Sequence, residues 1–249
     1  MKITVLASGS RGNCTYVEVN GVRLLIDLGI SCSYVVEKLK EINVDPSSIE
    51  KILITHIHND HISGLKTFYK KYQPTIYITP SMLEGLEWID QTTKYGFYNE
   101  KDAFTKLKIE LIRTSHDVKE SYGFLIEEKL VYITDTGYIH HKYFLKLKNK
   151  EVYIIESNHD VEMLMNGKYY FNLKQRILSD EGHLSNEKAS VYLSKFIGEK
   201  TKYIFLAHLS EENNSEEKAL ITLWKNINKN DIKKVIIAKQ DERTELIEI

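Results

Sequence analysis

Three histidines and one aspartate lie within six residues of the stretch LITHIHNDHISG, in a chain that has only nine histidines. In an extended backbone alternate side chains point the same way, so His56 and His58 can bind one cation. The turn that follows then presents Asp60 and His61 to another cation. Imidazole nitrogens with carboxylate oxygens suit zinc, and also manganese or iron. We therefore predict a metal-binding loop, in which Gly64 supplies an unusual backbone angle before the next helix.

Further histidines and acids stand where strand-like runs end. His116 follows the run IELIRTS, Asp135 follows LVYIT and His208 follows YIFLA. Glu156 closes the run VYIIE in the same way. Polar groups at the ends of adjacent buried strands converge on one edge of an α/β sheet. We therefore predict that His116, Asp135 and His208 are metal ligands.

The elements that must position these residues alternate along the whole chain. Apolar residues have helical spacing in SYVVEKLKEI, which a preceding serine can cap, and helical patterns recur in LKTFYKKY, SMLEGLEWI, HHKYFLKL, NEKASVYLSKFI and SEEKALITLWKNI. Strand-like runs lie between them, from KITVLA near the start to VIIA near the end. This order predicts an α/β fold whose mixed sheet is covered by helices. We find no linker or repeat and predict a single domain over residues 1–249.

Composition excludes several classes of protein. The 249 residues are 42% hydrophobic and 28% charged, which is typical of a folded domain and not of a disordered chain. Two cysteines, Cys14 and Cys32, cannot build a disulfide framework. The N-terminal strand-like run is too short for a secretory signal, and no run approaches about 18 apolar residues, so we expect a cytoplasmic protein. The net charge of -1 means that any nucleic acid must be held by local basic patches and metal ions.

The order of the motifs resembles the metallo-β-lactamase superfamily. The matching residues are the H-x-H-x-D-H element, a histidine, an aspartate in TDTG and a final histidine, and they extend over nearly the whole chain. The resemblance implies an αββα sandwich in which two mixed sheets are flanked by helices, with two divalent metal ions, zinc or manganese, at one edge. It implies that one ion is bound by His56, His58 and His116, the other by Asp60, His61 and His208, and that Asp135 bridges them.

Three further stretches narrow the resemblance to one branch. His58 stands where flavodiiron relatives carry a glutamate, which argues against that branch. No cysteine lies near the ligands, which argues against the lactamases that bind their second metal through a thiolate. ASGSRGNC, ESNHD and GHLSNEKAS look like the YycJ/WalJ branch of DNA exonucleases, which implies 5′-3′ cleavage of DNA. In related tRNA 3′-processing nucleases a histidine of an H-x-T element contacts the scissile phosphate. His183 occupies a similar place here, with Ser185 where the threonine would be.

The resemblance also implies a mechanism. A metal-bound hydroxide would attack phosphorus, and His183 would protonate the departing alkoxide. His159 either acts as a second phosphate-binding or proton-transfer group, or orients a metal ligand. Glu156 either orients a ligand histidine or caps the next helix. Asp60, His183 and His159 are thus the predicted catalytic residues.

Basic residues near His183 are the predicted contacts to the substrate. The run GKYYFNLKQR interleaves lysines with tyrosines, which can bind phosphates and stack on bases. We predict that Lys168, Lys174, Arg176 and Ser185 bind the substrate, with DNA favoured over RNA. Two alternatives stay open: a hydrolase of small phosphodiesters such as cyclic nucleotides, and a non-catalytic regulatory module with the same fold. The oligomeric state is also open, a homodimer being one option.

Overall fold

Strands and helices alternate in the computed structural model, which describes residues 1–100, 104, 106–228 and 232–249. Internal contacts divide the chain into two units that are interleaved in sequence. Unit 1 comprises Met1–Lys108, Val118–Glu120 and Lys239–Ile249, and unit 2 comprises Ile109–Asp117 and Ser121–Ala238. The prediction of one domain over the whole chain stays a prediction.

Unit 1 is built on a seven-stranded mixed sheet with the order β13-β1-β2-β3-β4-β5-β6. The pairs from β13 to β3 are antiparallel and those from β3 to β6 are parallel. Asn20 and Gly21 both have positive φ between β2 and β3, as a tight hairpin turn requires. The strands are β1 (Lys2–Ala7), β2 (Cys14–Val19), β3 (Val22–Ile26), β4 (Lys51–Leu53), β5 (Thr75–Ile78), β6 (Tyr95–Phe97) and β13 (Ile247–Glu248).

The helices of unit 1 connect its parallel strands. Ser31 caps the first of them by accepting a hydrogen bond from the backbone of Tyr34, which confirms the predicted serine cap. Both cysteines are free thiols, as expected. The helices are α1 (Cys32–Glu41), α2 (Asn59–Ile62), α3 (Leu65–Tyr72) and α4 (Pro80–Leu83), with a 3₁₀ turn at Pro46–Ser48.

Three local predictions in unit 1 were wrong. SMLEGLEWI is helical only as far as Leu83, and turns follow. The predicted metal-binding loop contains a short helix, α2, which carries Asp60 and His61. Gly64 has an ordinary right-handed conformation with φ -89°. Glycine is needed there because a Cβ would lie 1.9 Å from the carbonyl oxygen of Ile30, so the reason is close approach and not backbone angle.

Unit 2 is built on a six-stranded mixed sheet with the order β12-β11-β10-β9-β8-β7. The pairs from β7 to β9 are antiparallel and those from β9 to β12 are parallel. The strands are β7 (Ile109–Arg113), β8 (Tyr122–Ile126), β9 (Leu130–Ile133), β10 (Val152–Glu156), β11 (Tyr203–Ala207) and β12 (Lys234–Ile237). The helices are α5 (Phe144–Leu147), α6 (Val161–Asn166), α7 (Phe171–Leu178), α8 (Asn186–Phe196) and α9 (Glu216–Asn226), and a 3₁₀ turn spans His141–Tyr143.

Helices α8 and α9 cover one face of the unit 2 sheet. Leu193, Phe196 and Leu223 belong to one buried apolar cluster with Tyr153 and Ile155 of β10. Alternate residues of a strand point to the same face, so every second residue of β10 faces these helices. Mixed sheets packed against helices confirm the predicted α/β class. Within the described residues, no helix is both long enough and apolar enough to span a membrane.

Candidate functional site

The predicted functional residues stand at the carboxyl ends of parallel strands. In unit 2, Asp135 follows β9, Glu156 is the last residue of β10, and His208 follows β11. The register aligns Ile155 of β10 with Ile133 of β9, so these strand ends lie level with one another. In unit 1, β4 precedes the histidine-rich segment. Parallel strands therefore bring residues distant in sequence to one edge of each sheet.

The histidine-rich segment of unit 1 forms a close cluster. His56 and His61 are fully buried, and the rings of His56 and His58 bring Nε2 and Nδ1 to 3.1 Å from each other. Two nitrogens bound to one tetrahedral zinc ion at 2.0–2.1 Å would be about 3.3 Å apart, so this separation suits a shared cation. Asp60 adds a carboxylate oxygen 3.5 Å from His61 Nε2.

Asp27, which the sequence analysis missed, orients this cluster. Its fully buried carboxylate lies 2.8 Å from His61 Nδ1 and accepts hydrogen bonds from the backbone and hydroxyl groups of Thr55 at 2.8 and 2.9 Å. Burial raises the pKa of Asp27, and the charge of His61 and the Thr55 hydrogen bonds offset this only in part. With Nδ1 of His61 facing Asp27, Nε2 is the ring nitrogen that can bind a metal.

Asn13, in the motif ASGSRGNC, contacts the short helix α2 that carries Asp60 and His61. Its backbone N–H donates to the carbonyl oxygen of Asp60 at 2.8 Å, and its side-chain amide lies 3.2 Å from His61 Nε2. Gly29 donates to the carbonyl oxygen of Asn13 and passes so close to Asp60 that a Cβ would lie 1.6 Å from its carbonyl oxygen. The motif therefore supports the short helix that presents Asp60 and His61.

Unit 2 brings together five predicted or candidate residues. Glu156 is fully buried, and one of its oxygens lies 2.7 Å from His183 Nδ1 and 2.9 Å from His208 Nδ1. An oxygen of Asp135 lies 3.5 Å from His208 Nδ1, 3.6 Å from His183 Nδ1 and 3.9 Å from His116 Nε2. His116 in turn faces the carbonyl oxygen of Gly182 through Nδ1 at 3.2 Å. The ligand atoms of Asp135, Glu156, His183 and His208 all lie within 4.8 Å of one another.

Glu156 holds two histidines at once and so has a clear role in the cluster. Its other oxygen accepts hydrogen bonds from the backbone N–H groups of Leu184 and Thr136 at 3.0 and 3.1 Å. Burial alone would raise the pKa of Glu156, but the attraction of His183 and the hydrogen bonds from His183 and His208 lower it. From the sequence, Glu156 is either an orienting residue or a helix cap, and these contacts favour the orienting role.

His159 lies buried beside this cluster. Its Nδ1 is 3.3 Å from the side-chain oxygen of Asn158, whose amide donates to the carbonyl oxygen of His208 at 2.9 Å. Burial lowers the pKa of His159 to about 4, so the ring is neutral at pH 7. A neutral buried ring of this kind can support the His208 segment, and the predicted catalytic role of His159 stays a prediction.

The four predicted substrate contacts have different surroundings. Lys168 is exposed, whereas the ammonium group of Lys174 donates to the carbonyl oxygens of Met165 and Gly167 at 2.7 and 2.8 Å. Arg176 forms an ion pair with Asp117. The hydroxyl of Ser185 caps α8 by accepting a hydrogen bond from the backbone of Lys188. Lys174 and Ser185 therefore have structural contacts that the sequence pattern did not predict.

Three residues of the two clusters have a left-handed backbone. Asp27, Asp135 and His208 have φ values of 59°, 53° and 56°. Such angles are uncommon for residues other than glycine and are concentrated at functional sites. At each of these positions the chain leaves a strand and turns, which keeps the polar side chain at the strand end.

The donor set of both units fits divalent metal ions. Each cluster combines imidazole nitrogens with carboxylate oxygens, and at least one imidazole in each faces a buried carboxylate through its other nitrogen, namely His61 toward Asp27 and His208 toward Glu156. Histidines that bind metals in proteins typically make such contacts, because they set the tautomer and the ring orientation. The chain is therefore equipped for divalent metal binding.

The same chain architecture occurs in a solved structure of the metallo-β-lactamase fold. The metallo-β-lactamase fold protein YhfI from Bacillus subtilis superimposes with a TM-score of 0.72, at 17% identity, over 98% of this chain and 99% of that protein. At this identity the similarity establishes the fold. With its clusters of imidazole and carboxylate groups, the protein is a member of the class of metallo-β-lactamase fold proteins that is equipped to bind metal ions.

Sequence relatives give the particular family. Exodeoxyribonuclease WalJ of Streptococcus pneumoniae serotype 2 (strain D39 / NCTC 7466) is 38% identical over 100% of this chain and 98% of its own length. Exodeoxyribonuclease YycJ of Bacillus anthracis is 36% identical over 90% of this chain and 88% of its own length. A family model described as "Anti-Pycsar protein Apyc1" also matches residues 7–177. The chain belongs to the WalJ/YycJ family of exodeoxyribonucleases.

Substitution of Asp27 tests the orienting role that the structure reveals. We expect Asp27→Asn to weaken metal binding by about 10–100-fold, because an amide NH₂ facing His61 Nδ1 favours the wrong tautomer. Competition with a chromogenic zinc chelator measures the affinity. Asp45→Asn is the matched control, since Asp45 caps an exposed 3₁₀ turn and asparagine caps equally well. Equal affinity of the Asp27 and Asp45 variants would show that Asp27 has no role in metal binding.

Proposed function

We propose that the protein is a DNA exonuclease that degrades DNA in the 5′-3′ direction with two divalent metal ions per chain, zinc or manganese. The proposed metal ligands are the seven residues derived from the family resemblance: His56, His58, Asp60, His61, His116, Asp135 and His208. The family relationship to WalJ and YycJ supports DNA as the substrate. Because the DNA of a bacterial cell is in the cytoplasm, the proposal includes a cytoplasmic location.

One observation carries the proposal at the level of the site. Each unit presents imidazoles and carboxylates from strand ends, with a buried carboxylate behind them, Asp27 in unit 1 and Glu156 in unit 2. Buried carboxylates are costly unless they accept strong hydrogen bonds, and these two accept bonds from the histidine rings and from nearby backbone groups. A purely structural role would not require so many buried polar groups at the strand ends, so this arrangement supports metal binding.

The chemistry divides between the metal ions and the protein. When bound, divalent ions lower the pKa of water and neutralise charge on phosphate oxygens. The protein must also supply a proton, because the alkoxide that leaves from DNA is a poor leaving group. We assign this proton to His183, whose Nδ1 faces Glu156 at 2.7 Å. The carboxylate orients the ring through Nδ1 and leaves Nε2 to carry the proton that is donated.

The other residues of the proposal are candidates for catalytic roles besides proton donation, or for contacts to the substrate. Asp60 and His159 stay candidates for catalytic roles, Asp60 as a carboxylate beside His61 and His159 as a neutral ring beside the His208 segment. Lys168 and Arg176 are the proposed contacts to the phosphate backbone, since both have exposed side chains. Lys174 contributes to the proposal mainly by tying α7 to the end of α6, and Ser185 by capping α8.

The decisive experiment compares polymer and small substrates. Purified protein is stripped of metal, reloaded separately with zinc or manganese, and incubated with DNA or RNA labelled at the 5′ or the 3′ end, and with bis(p-nitrophenyl) phosphate. We expect release of labelled mononucleotide first from the 5′-labelled DNA, no activity in the metal-free protein, and loss of activity in His58→Ala. His141→Ala is the control, because His141 is an exposed histidine away from the strand ends.

Other outcomes would redirect the proposal. Turnover of the small diester without degradation of DNA would indicate a small-molecule phosphodiesterase. Early release of the 3′ label would reverse the proposed polarity. A metal-loaded protein that hydrolyses none of these substrates would support a non-catalytic regulatory module.

A further inference from the structure

Exposed apolar side chains are concentrated on the helical segment formed by α6 and α7. Of the ten large hydrophobic side chains that are exposed among the described residues, four lie in this segment: Val161, Met165, Tyr170 and Phe171. The Tyr170 and Phe171 side chains are 86% and 65% exposed. Exposing two adjacent aromatic rings to water at the start of a helix costs free energy unless a partner covers them. Such exposed apolar surface therefore marks an interaction site.

Hydrogen bonds tie the backbone of this segment and so determine where the two rings project from the chain. The ammonium group of Lys174 in α7 donates to the carbonyl oxygens of Met165 and Gly167, which ties α7 to the end of α6. The backbone N–H groups of Leu173 and Lys174 donate to the carbonyl oxygen of Tyr170. Tyr170 is thus fixed at the first turn of α7.

The other end of α7 is tied to the cluster of unit 2. The backbone N–H of His183 donates to the carbonyl oxygen of Ile177 at 3.0 Å. Arg176 pairs with Asp117, whose other oxygen lies 3.3 Å from His116 Nε2. Helix α7 therefore runs from the exposed rings to the residues that we assign to catalysis.

Length and charge indicate the kind of partner. From Phe171 to Ile177 the helix rises about 9 Å, which at about 3.4 Å per nucleotide is the length of about three nucleotides of a strand. The segment from α6 to α7 carries three basic residues, Lys168, Lys174 and Arg176, against one acidic residue, Glu162. Aromatic rings beside positive charge are the combination that binds single-stranded nucleic acid.

We propose that Tyr170 and Phe171 stack on unpaired bases of the DNA strand about three nucleotides from the scissile phosphate, an inference that rests on the proposed nuclease function. The rings would keep the strand that is being degraded apart from its complementary strand. They would also hold the end of that strand at the cluster of unit 2. Because every base has a π-face, this surface would bind DNA without sequence preference.

Binding of a single-stranded oligonucleotide tests this inference directly. The metal-loaded protein is titrated with a phosphorothioate oligonucleotide that carries 2-aminopurine at successive positions from its 5′ end. We expect 2-aminopurine fluorescence to be quenched most near the third nucleotide. The double substitution Tyr170→Ala with Phe171→Ala should abolish this quenching and raise Kd by roughly 5- to 150-fold, the range for loss of a stacked base. Tryptophan at both positions should restore binding.

Matched controls separate stacking from other effects. Leu145→Ala with Ile221→Ala removes two other exposed apolar side chains elsewhere on unit 2 and should leave Kd unchanged. Turnover of bis(p-nitrophenyl) phosphate should be unchanged in both double variants, because this substrate is too short to reach the rings.

Each outcome bears on a different proposal. An unchanged Kd in the aromatic variant, or a dimer that this variant converts to monomer, would overturn the inference, the second because another copy of the chain would then cover the rings. Ring-dependent binding by a protein that cleaves no DNA would support the stacking surface and refute the exonuclease activity.

Discussion

Replacing His183 with alanine is expected to slow DNA hydrolysis by about 10²–10⁴-fold, the usual contribution of a general acid. The same substitution should reduce turnover of bis(p-nitrophenyl) phosphate far less. The reason is the leaving group: p-nitrophenolate is stable without a proton, whereas the alkoxide of a deoxyribose is not. Rates on both substrates, measured with the same metal-loaded preparation, give the comparison.

The leaving-group comparison also separates His183 from a metal ligand. His183 Nδ1 belongs to the group of four residues whose ligand atoms lie within 4.8 Å of one another, so a ligand role is the main competitor. Loss of a ligand should reduce the rates on both substrates equally and should lower the metal content. Equal losses with a reduced metal content would therefore contradict the assignment of His183 as the proton donor.

Substitution of Glu156 by glutamine is expected to destabilise the protein by about 3–5 kcal/mol, the usual effect of breaking a buried hydrogen-bonded charge network. Glu156 is fully buried and faces donors on His183, His208, Leu184 and Thr136. A glutamine offers an NH₂ group where a carboxylate oxygen accepted these bonds. At about 2–4 °C per kcal/mol for a chain of this size, Tm should fall by roughly 6–20 °C, as thermal unfolding of the metal-free protein would show.

Glu151 provides a matched control for this change. It precedes the same strand, β10, but its side chain is 18% exposed and pairs with Lys202 and Lys129 at the surface. Glu151→Gln should therefore change stability by only about 0–1 kcal/mol. Similar losses in both variants would indicate that the buried network around Glu156 contributes no more than a surface ion pair.

The pH dependence of stability gives an independent check on Glu156. Its pKa in the folded protein lies below the ordinary value of 4.5, so its ionised form is favoured by folding. This contribution is fully present above pH 4.5 and is lost as the pH falls through the folded-state pKa. The difference in unfolding free energy between the metal-free wild type and Glu156→Gln should accordingly shrink from pH 6 to pH 3, as urea titrations can measure.

Much of the fold could be predicted because local patterns dominate it. α3 coincides with the predicted LKTFYKKY, and α8 and α9 lie within the predicted helical patterns NEKASVYLSKFI and SEEKALITLWKNI. Buried parallel strands appear in the sequence as short apolar runs, which is why polar residues at their ends were visible as candidates. The position of His116, Asp135 and His208 after strand-like runs thus marked them as candidate metal ligands without knowledge of the sheet order.

The remaining features depend on contacts between distant parts of the chain. Asp27 ends the strand-like run VRLLID, which the structure confirms as β3, and this is the same signal that marked Asp135. Only the pairing of β3 with β4, however, brings Asp27 to Thr55 and His61. Helices α6 and α7 were missed because glycine and exposed aromatic residues obscure their periodicity. The structural contacts of Lys174 could not be predicted either, since they are made to backbone carbonyl groups.

The left-handed backbone at Asp27, Asp135 and His208 affects which residues are expected at these positions in related sequences. A side chain with a Cβ at such an angle costs about 1–2 kcal/mol, a cost that glycine avoids. A copy of this protein that no longer needs its chemistry could accept glycine or asparagine at positions 27, 135 and 208, because the backbone there already has the angle that these residues tolerate. Sequence drift at these three positions is therefore expected to accompany loss of function, and it offers a way to distinguish inactive descendants from working enzymes.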